Sequence, residues 1–143
     1  MEGSLLQLKL FTMQLSLAQI AIVVHDYDEA IAFYCGKLGF TLIEDTVMTA
    51  SKRWVVVSPN DCNGCRLLLA KAANEEQASR VGNQTGGRVF LFLHTSNFDA
   101  MYNRLLEQQI TIVRPPSSEA YGRVCVFADC YGNLWDLIEP AVE

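Results

Sequence analysis

The stretch QIAIVVHDYDEAIAFYCGKLGF, residues 19–40, decides how the chain is read. Gln19 to Val24 is a β-branched apolar run, the pattern of a strand. Asp26 stands at a helix entry, and Asp28 to Leu38 reads as a helix with acids in its first turn and Gly39 as its C-terminal stop. Phe40 to Glu44 resumes as strand. Further on, Arg53 to Ser58 (RWVVVS) and Arg66 to Ala70 (RLLLA) are two more strands, bounded by Pro59 and joined through a loop containing Asn63-Gly64, a strong short hairpin signal. The first half therefore reads β-α-β-β-β.

The second half repeats that order. Val89 to Leu93 (VFLFL) is strand, Phe98 to Gln108 helix, and Ile110 to Val113, Arg123 to Ala128 and Leu134 to Ile138 are strands. Sliding the chain by 70 residues sets Ala30 on Ala100, Thr41 on Thr111, and the strand FTLI on ITIV, the mark of an internal repeat. The polar, Gly-rich segment between the halves, residues 71–88, suits a short helix and a mobile connector. Two such units cannot build a doubly wound parallel sheet. They suit an α+β fold: two tandem βαβββ modules of small mixed sheet, helices on the convex side, concave faces forming a cup. The boundaries are residues 1–17 as an N-terminal extension and 18–140 as one domain, divided into module one (18–72), connector (73–87) and module two (88–140).

Bulk composition sets the context. The 143 residues are 50% hydrophobic, enough for a core without disulfide staples. A net charge of -5, a pI near 5.0 and scattered Lys and Arg residues argue against a nucleic-acid partner. No apolar run reaches the ~20 residues of a membrane span, and the first residues lack a signal-peptide pattern. The expected location is the cytoplasm. Five cysteines (Cys35, Cys62, Cys65, Cys125, Cys130), odd in number and irregular in spacing, fit no secreted disulfide framework. Cys62 and Cys65 flank Asn63-Gly64 within reach of each other, but a zinc site needs two further ligands. Met13 is an alternative start, which would make residues 1–12 an extension.

Together with GRVCVFADCYGNLWDLIEP at residues 122–140, the opening stretch resembles the end motifs of the vicinal oxygen chelate superfamily. That superfamily includes glyoxalase I, extradiol dioxygenases, and fosfomycin- and bleomycin-resistance proteins. The resemblance spans residues 18–140. It implies paired βαβββ modules around a cup, a homodimer, and in metal-dependent members a divalent ion (Zn, Ni, Mn or Fe) on four side chains from four strands. Two of those four positions carry donors, Gln19 on the first strand and Asp136 on the last. The others fall on Phe90 and on Leu67 to Leu69, apolar in any register. A divalent ion needs several N, O or S donors in a closed set. His94 shares Phe90's face ~13 Å along the strand, and His25 lies ~20 Å from Gln19, so neither replaces the missing ligands; either can stand at the rim.

Asp136 interrupts the apolar strand LWDLI, sharing a face with Leu134 and Ile138 while Trp135 and Leu137 take the other. It reads as a metal ligand, as a polar or catalytic group of a pocket, or as an edge acid paired with Arg123. An isolated buried carboxylate has a raised pKa and makes a usable general base. Candidate substrate contacts are Arg53, Trp54, Phe90, Phe92, His94, Tyr121 and Arg123, where aromatics with a cation would hold a planar ligand; core packing is the alternative for the phenylalanines. The segment RPPSSEAYG, 114–122, reads as a mobile loop over the cup. Three functional readings follow. One is a glyoxalase-like lyase or a dioxygenase with a degenerate metal site. The second is a metal-free small-molecule binder like the drug-sequestering proteins, with Asp136 as counter-charge. The third is an interaction module whose cup is filled by large side chains.

Overall fold

The computed structural model of the protein describes residues 13–60 and 64–142. Residues 1–12 and the Cys62 and Asn63 of the expected hairpin lie outside them. In chain order the elements are β1 (Gln19–Val24), α1 (Tyr27–Ile31), β2 (Thr41–Val47), β3 (Arg53–Ser58), β4 (Arg66–Lys71), α2 (Glu75–Ser79), β5 (Val89–His94), α3 (Phe98–Glu107), β6 (Ile112–Glu119), β7 (Gly122–Ala128) and β8 (Leu134–Pro140). They form two four-stranded mixed sheets, β1-β4-β3-β2 and β5-β8-β7-β6. In each, the first and last strands of the module pair in parallel and the remaining neighbours are antiparallel. This is the tandem βαβββ architecture read from the repeat.

The helices begin where the sequence supplies caps. Asp26 Oδ2 accepts the Glu29 N–H at 2.8 Å, and Asn97 Oδ1 accepts the Ala100 N–H at 3.1 Å, satisfying donors that a helix start leaves free. The first helix departs from the even α-helix expected. After Ile31 it runs on as a π-helical segment, Ala32–Lys37, closed by the Leu38 N–H donating to the Phe33 carbonyl at 2.9 Å. The wider turn lets the consecutive residues Phe33 and Tyr34 both bury. Gly39 ends the segment at φ 87°, and a β-carbon there would stand 3.3 Å from Arg104 Nε.

One core serves both modules. Ile22, Val55, Val57 and Leu69 of the first sheet, Phe127, Trp135 and Leu137 of the second, and Tyr34, Phe98 and Leu105 of the helices belong to one buried cluster. Each such side chain contributes roughly 1.5–3 kcal/mol by leaving water. The polar seam through it is fully paired. Tyr34 Oη donates to Asp129 Oδ2 at 2.6 Å and accepts from Trp135 Nε1 at 3.2 Å. Burial, then the adjacent Asp129 charge, hold the Tyr34 hydroxyl well above its usual pKa, so it stays a neutral donor. Arg104 of α3 donates to the carbonyls of Lys37 and Gly36 at the end of the first helix, joining the helical sides of the two modules.

The Pro-rich segment corrects the expectation of a mobile loop. Arg114 to Glu119 belong to β6, which turns directly into β7 at Glu119↔Gly122. Two register shifts, between Ile112 and Arg114 and between Arg114 and Ser117, carry Pro115 and Pro116 along the sheet edge, where a missing N–H disturbs no second partner.

Candidate functional site

Residues paired in register point to the same side of a sheet. On the second sheet Trp135 and Leu137 point to the helices and are buried, so Asp136 points to the open side, as the alternation of LWDLI implies. Register places Phe92 beside Asp136 on β5, Val126 on β7, and Arg114 beyond Val126 on β6. That side of the sheet thus carries one row, Phe92, Asp136, Val126 and Arg114, with Phe92 exposed and Val126 buried. Phe92 keeps 62% of its surface exposed. Desolvation raises the Asp136 pKa, partly opposed by the Arg114 charge.

Arg114 joins this row from β6, although the prolines that follow it give its segment the sequence pattern of a loop. A signal was present: the same 70-residue slide that sets Thr41 on Thr111 sets Glu44, a strand residue, on Arg114. Phe90 also lies elsewhere than alternation suggests. A register shift between Val89 and Leu91 falls on it, and its ring packs against the core, leaving Phe92 as the neighbour of Asp136. His94 follows Phe92 on the open face, and both line a cavity of about 320 Å³ with Ser58, Asn60 and Cys65. His25 meets Tyr131 edge to face, with ring centroids 5.5 Å apart.

Arg123 does not pair with Asp136. It points to the helical side, donating to Asp99 Oδ1 at 2.7 Å with its guanidinium 4.6 Å from the Phe98 ring centroid. Tyr121 sits exposed at the β6–β7 turn. Arg53 likewise faces the helical side. It donates to Asp45 at 2.7 Å and Asp28 at 2.9 Å and lies over Tyr27, 5.2 Å from its centroid, so its charge is already matched. The hydrogen bond to Arg53 holds Asp45 below its usual pKa. Trp54, the next residue, faces the open side and lines a cavity of about 600 Å³.

Gln19 begins β1 opposite Arg66, on the face shared by Ala21 and Leu68. It belongs to the first sheet and Asp136 to the second. Both lateral neighbours of Asp136 are apolar, and among the described residues no group of three or more His, Cys, Asp or Glu side chains could hold an ion. The residues present do not fit the four-donor metal centre of the metal-dependent enzymes.

The Glyoxalase/Bleomycin resistance protein/Dioxygenase superfamily model matches residues 16–137. The chain belongs to that superfamily. An uncharacterized protein of Shewanella frigidimarina (strain NCIMB 400) is 57% identical over 128 residues, covering 89% of this chain and 95% of that protein. Among solved structures, UcmS2 matches with a TM-score of 0.77 and 31% identity, covering 89% of this chain and 99% of its own. TnmS3, described as an antibiotic binding protein from Streptomyces sp. CB03234, matches with a TM-score of 0.74 and 27% identity over 90% and 99% of the two chains. Superfamily membership accounts for the tandem βαβββ architecture. Among the described residues no helix is long and apolar enough to cross a membrane.

Proposed function

We propose that this superfamily member binds a small aromatic molecule on the open face of its second sheet without a metal ion, in the manner its similarity to an antibiotic-binding protein suggests. The observation that carries the reading is the row itself. An exposed ring, Phe92, stands beside a partly desolvated carboxylate whose other neighbour is Val126, and the two further donor positions that the resemblance implies, Phe90 and Leu67 to Leu69, carry apolar residues. Phe92 offers a stacking platform, Asp136 accepts from a cationic or N–H group, and His94 borders the adjoining cavity. Asp136 is the counter-charge in this reading rather than a catalytic base.

The open face also supports a homodimer in which a second copy borders the row and helps enclose the ligand, since the exposed Phe92 gains from burial. The four described free thiols, Cys35, Cys65, Cys125 and Cys130, suit a cytoplasmic location. Burial, then the Asp136 charge, pushes the buried Cys125 thiol up to about 11, which disfavours its thiolate.

The test pairs elemental analysis of tag-free protein, before and after dialysis against Zn, Ni, Mn and Fe(II), with calorimetric screening of aromatic amines. Saturable binding that survives a chelator and weakens about tenfold or more in Asp136→Asn is the expected result. About one ion per chain, lost in Asp136→Ala, would overturn it in favour of a glyoxalase-like lyase or dioxygenase.

A further inference from the structure

The first sheet comes apart at one end. β4 stays in register with β1 as far as Val24↔Lys71, and β3 with β2 as far as Val47↔Arg53. Between themselves, β3 and β4 pair only from Val57↔Leu67 to Val55↔Leu69. Beyond Val55 and Leu69 the sheet therefore forks, with Arg53 and Trp54 on one branch and Ala70 and Lys71 on the other. On the helical side Tyr27 reaches the first branch, its hydroxyl accepting the Arg53 N–H at 3.2 Å. The cavity of about 600 Å³ lies in this fork, against about 320 and 290 Å³ for two others. That volume falls within the range of ordinary small-molecule pockets, roughly 300–1,000 Å³.

The walls of the fork have a definite chemistry. Tyr27, Trp54, Leu68, Leu69 and Ala70 make it apolar and aromatic, and Lys52 and Lys71 line it with the hydroxyls of Thr49 and Ser51. Among the described residues no carboxylate lines it. Arg53 is neutralised by Asp45 and Asp28, whereas neither Lys52 nor Lys71 has a carboxylate partner among the described residues. Two unmatched ammonium groups beside an indole, in a chain of net charge -5, make a local inversion of the protein's field that favours an anion. The ammonium groups hold the acid and the indole holds a flat ring.

We propose that the fork of the first sheet is a binding site for a planar aromatic anion, a carboxylate or sulfonate on a fused ring. It lies in module one, apart from the Asp136 row, and does not rest on the function proposed for that row. The probe is 1-naphthoate, with 1-naphthylmethanol as the uncharged match, titrated into ¹⁵N-labelled full-length protein. The expected result is a saturating shift of the Trp54 indole N–H, identified by its absence in Trp54→Phe, while the Trp135 signal stays still. The Lys52→Ala/Lys71→Ala double variant weakens binding about tenfold or more, and Asp136→Asn leaves it unchanged. Failure to saturate by a few millimolar, equal affinity for the uncharged match, or a double variant that binds as well as wild type would each overturn the proposal. Binding lost in Asp136→Asn and kept in the double variant would overturn it too, assigning the probe to the other sheet.

Discussion

The two modules share a topology and differ in how tightly their central hairpins close. In module two, β7 and β8 pair without a break from Ala128↔Leu134 to Gly122↔Pro140. In module one the equivalent strands pair over three positions and then fork. The turns joining the hairpins differ as well, although the module-one fork opens at the end away from its turn. Asp129 locks the module-two turn: its Oδ1 accepts the N–H groups of Tyr131, Gly132 and Asn133, each at 2.9 Å, and its Oδ2 accepts from Asn133 Nδ2 and Tyr34. The module-one connection starts at Pro59, which has no N–H to give. Duplication copied the strand order, and the closed sheet presents a row of side chains whereas the open one encloses a cavity.

Breaking the Asp129 lock should have the largest effect. Asp129 is 5% exposed and fixes one end of the β7–β8 ladder, so Asp129→Ala strands the Tyr34 hydroxyl and three main-chain donors. A loss of about 3–5 kcal/mol in urea unfolding is expected, and a loss under about 1 kcal/mol would detach the turn from the closure of the sheet. At the far end of the same ladder, Gly122 has φ 142°, and a β-carbon there would lie 2.2 Å from the Glu139 carbonyl oxygen. Gly122→Ala should pry the ladder open from that end, at about 2–3 kcal/mol, with faster amide exchange confined to the ends of β7 and β8. In module one, Tyr27→Phe removes the acceptor of the Arg53 N–H, an expected loss of about 0.5–1.5 kcal/mol. Exchange at Arg53 should rise with it; an unchanged rate would show that Tyr27 does not close the fork.

The strand and helix order was legible because each element carried its own local pattern, down to Gln19–Val24 and Arg53–Ser58, which match residue for residue. The face of Asp136 was legible for the same reason, since one polar residue among apolar neighbours reports its own side. Arg53 was not. In RWVVVS, Arg53 and Trp54 are followed by three valines buried on both faces, so alternation is silent about which side Arg53 takes, and its ion-pair partners Asp28 and Asp45 lie on other elements. Arg114 was hidden by Pro115 and Pro116, which signal a turn locally but are tolerated on the edge strand that the topology makes of β6. The fork depends on where three strand pairings stop relative to one another, and no local pattern encodes that.

The smallest expected effect sets the two modules against each other through pH. Asp136 has a raised pKa because burial disfavours its charge, so its ionised form opposes folding. Stability is then gained as pH falls through its folded pKa, and Asp136→Asn should be the more stable at neutral pH by under about 1 kcal/mol, given how much solvent screens the site. That advantage should shrink as the pH falls toward the ordinary carboxylate value near ~4. Asp45 in module one has the opposite sign. Arg53 lowers its pKa, so its contribution is present above the unfolded value and is lost as pH falls through the folded one. Measured by urea unfolding between neutral pH and about pH 3, the stability gap between wild type and Asp136→Asn should narrow from the mutant's side, and that for Asp45→Asn from the wild type's side. If both gaps moved the same way, the row in module two would be held by charge pairing with Arg114 rather than by desolvation beside Phe92 and Val126, and the chemical contrast between the two sheets would fail.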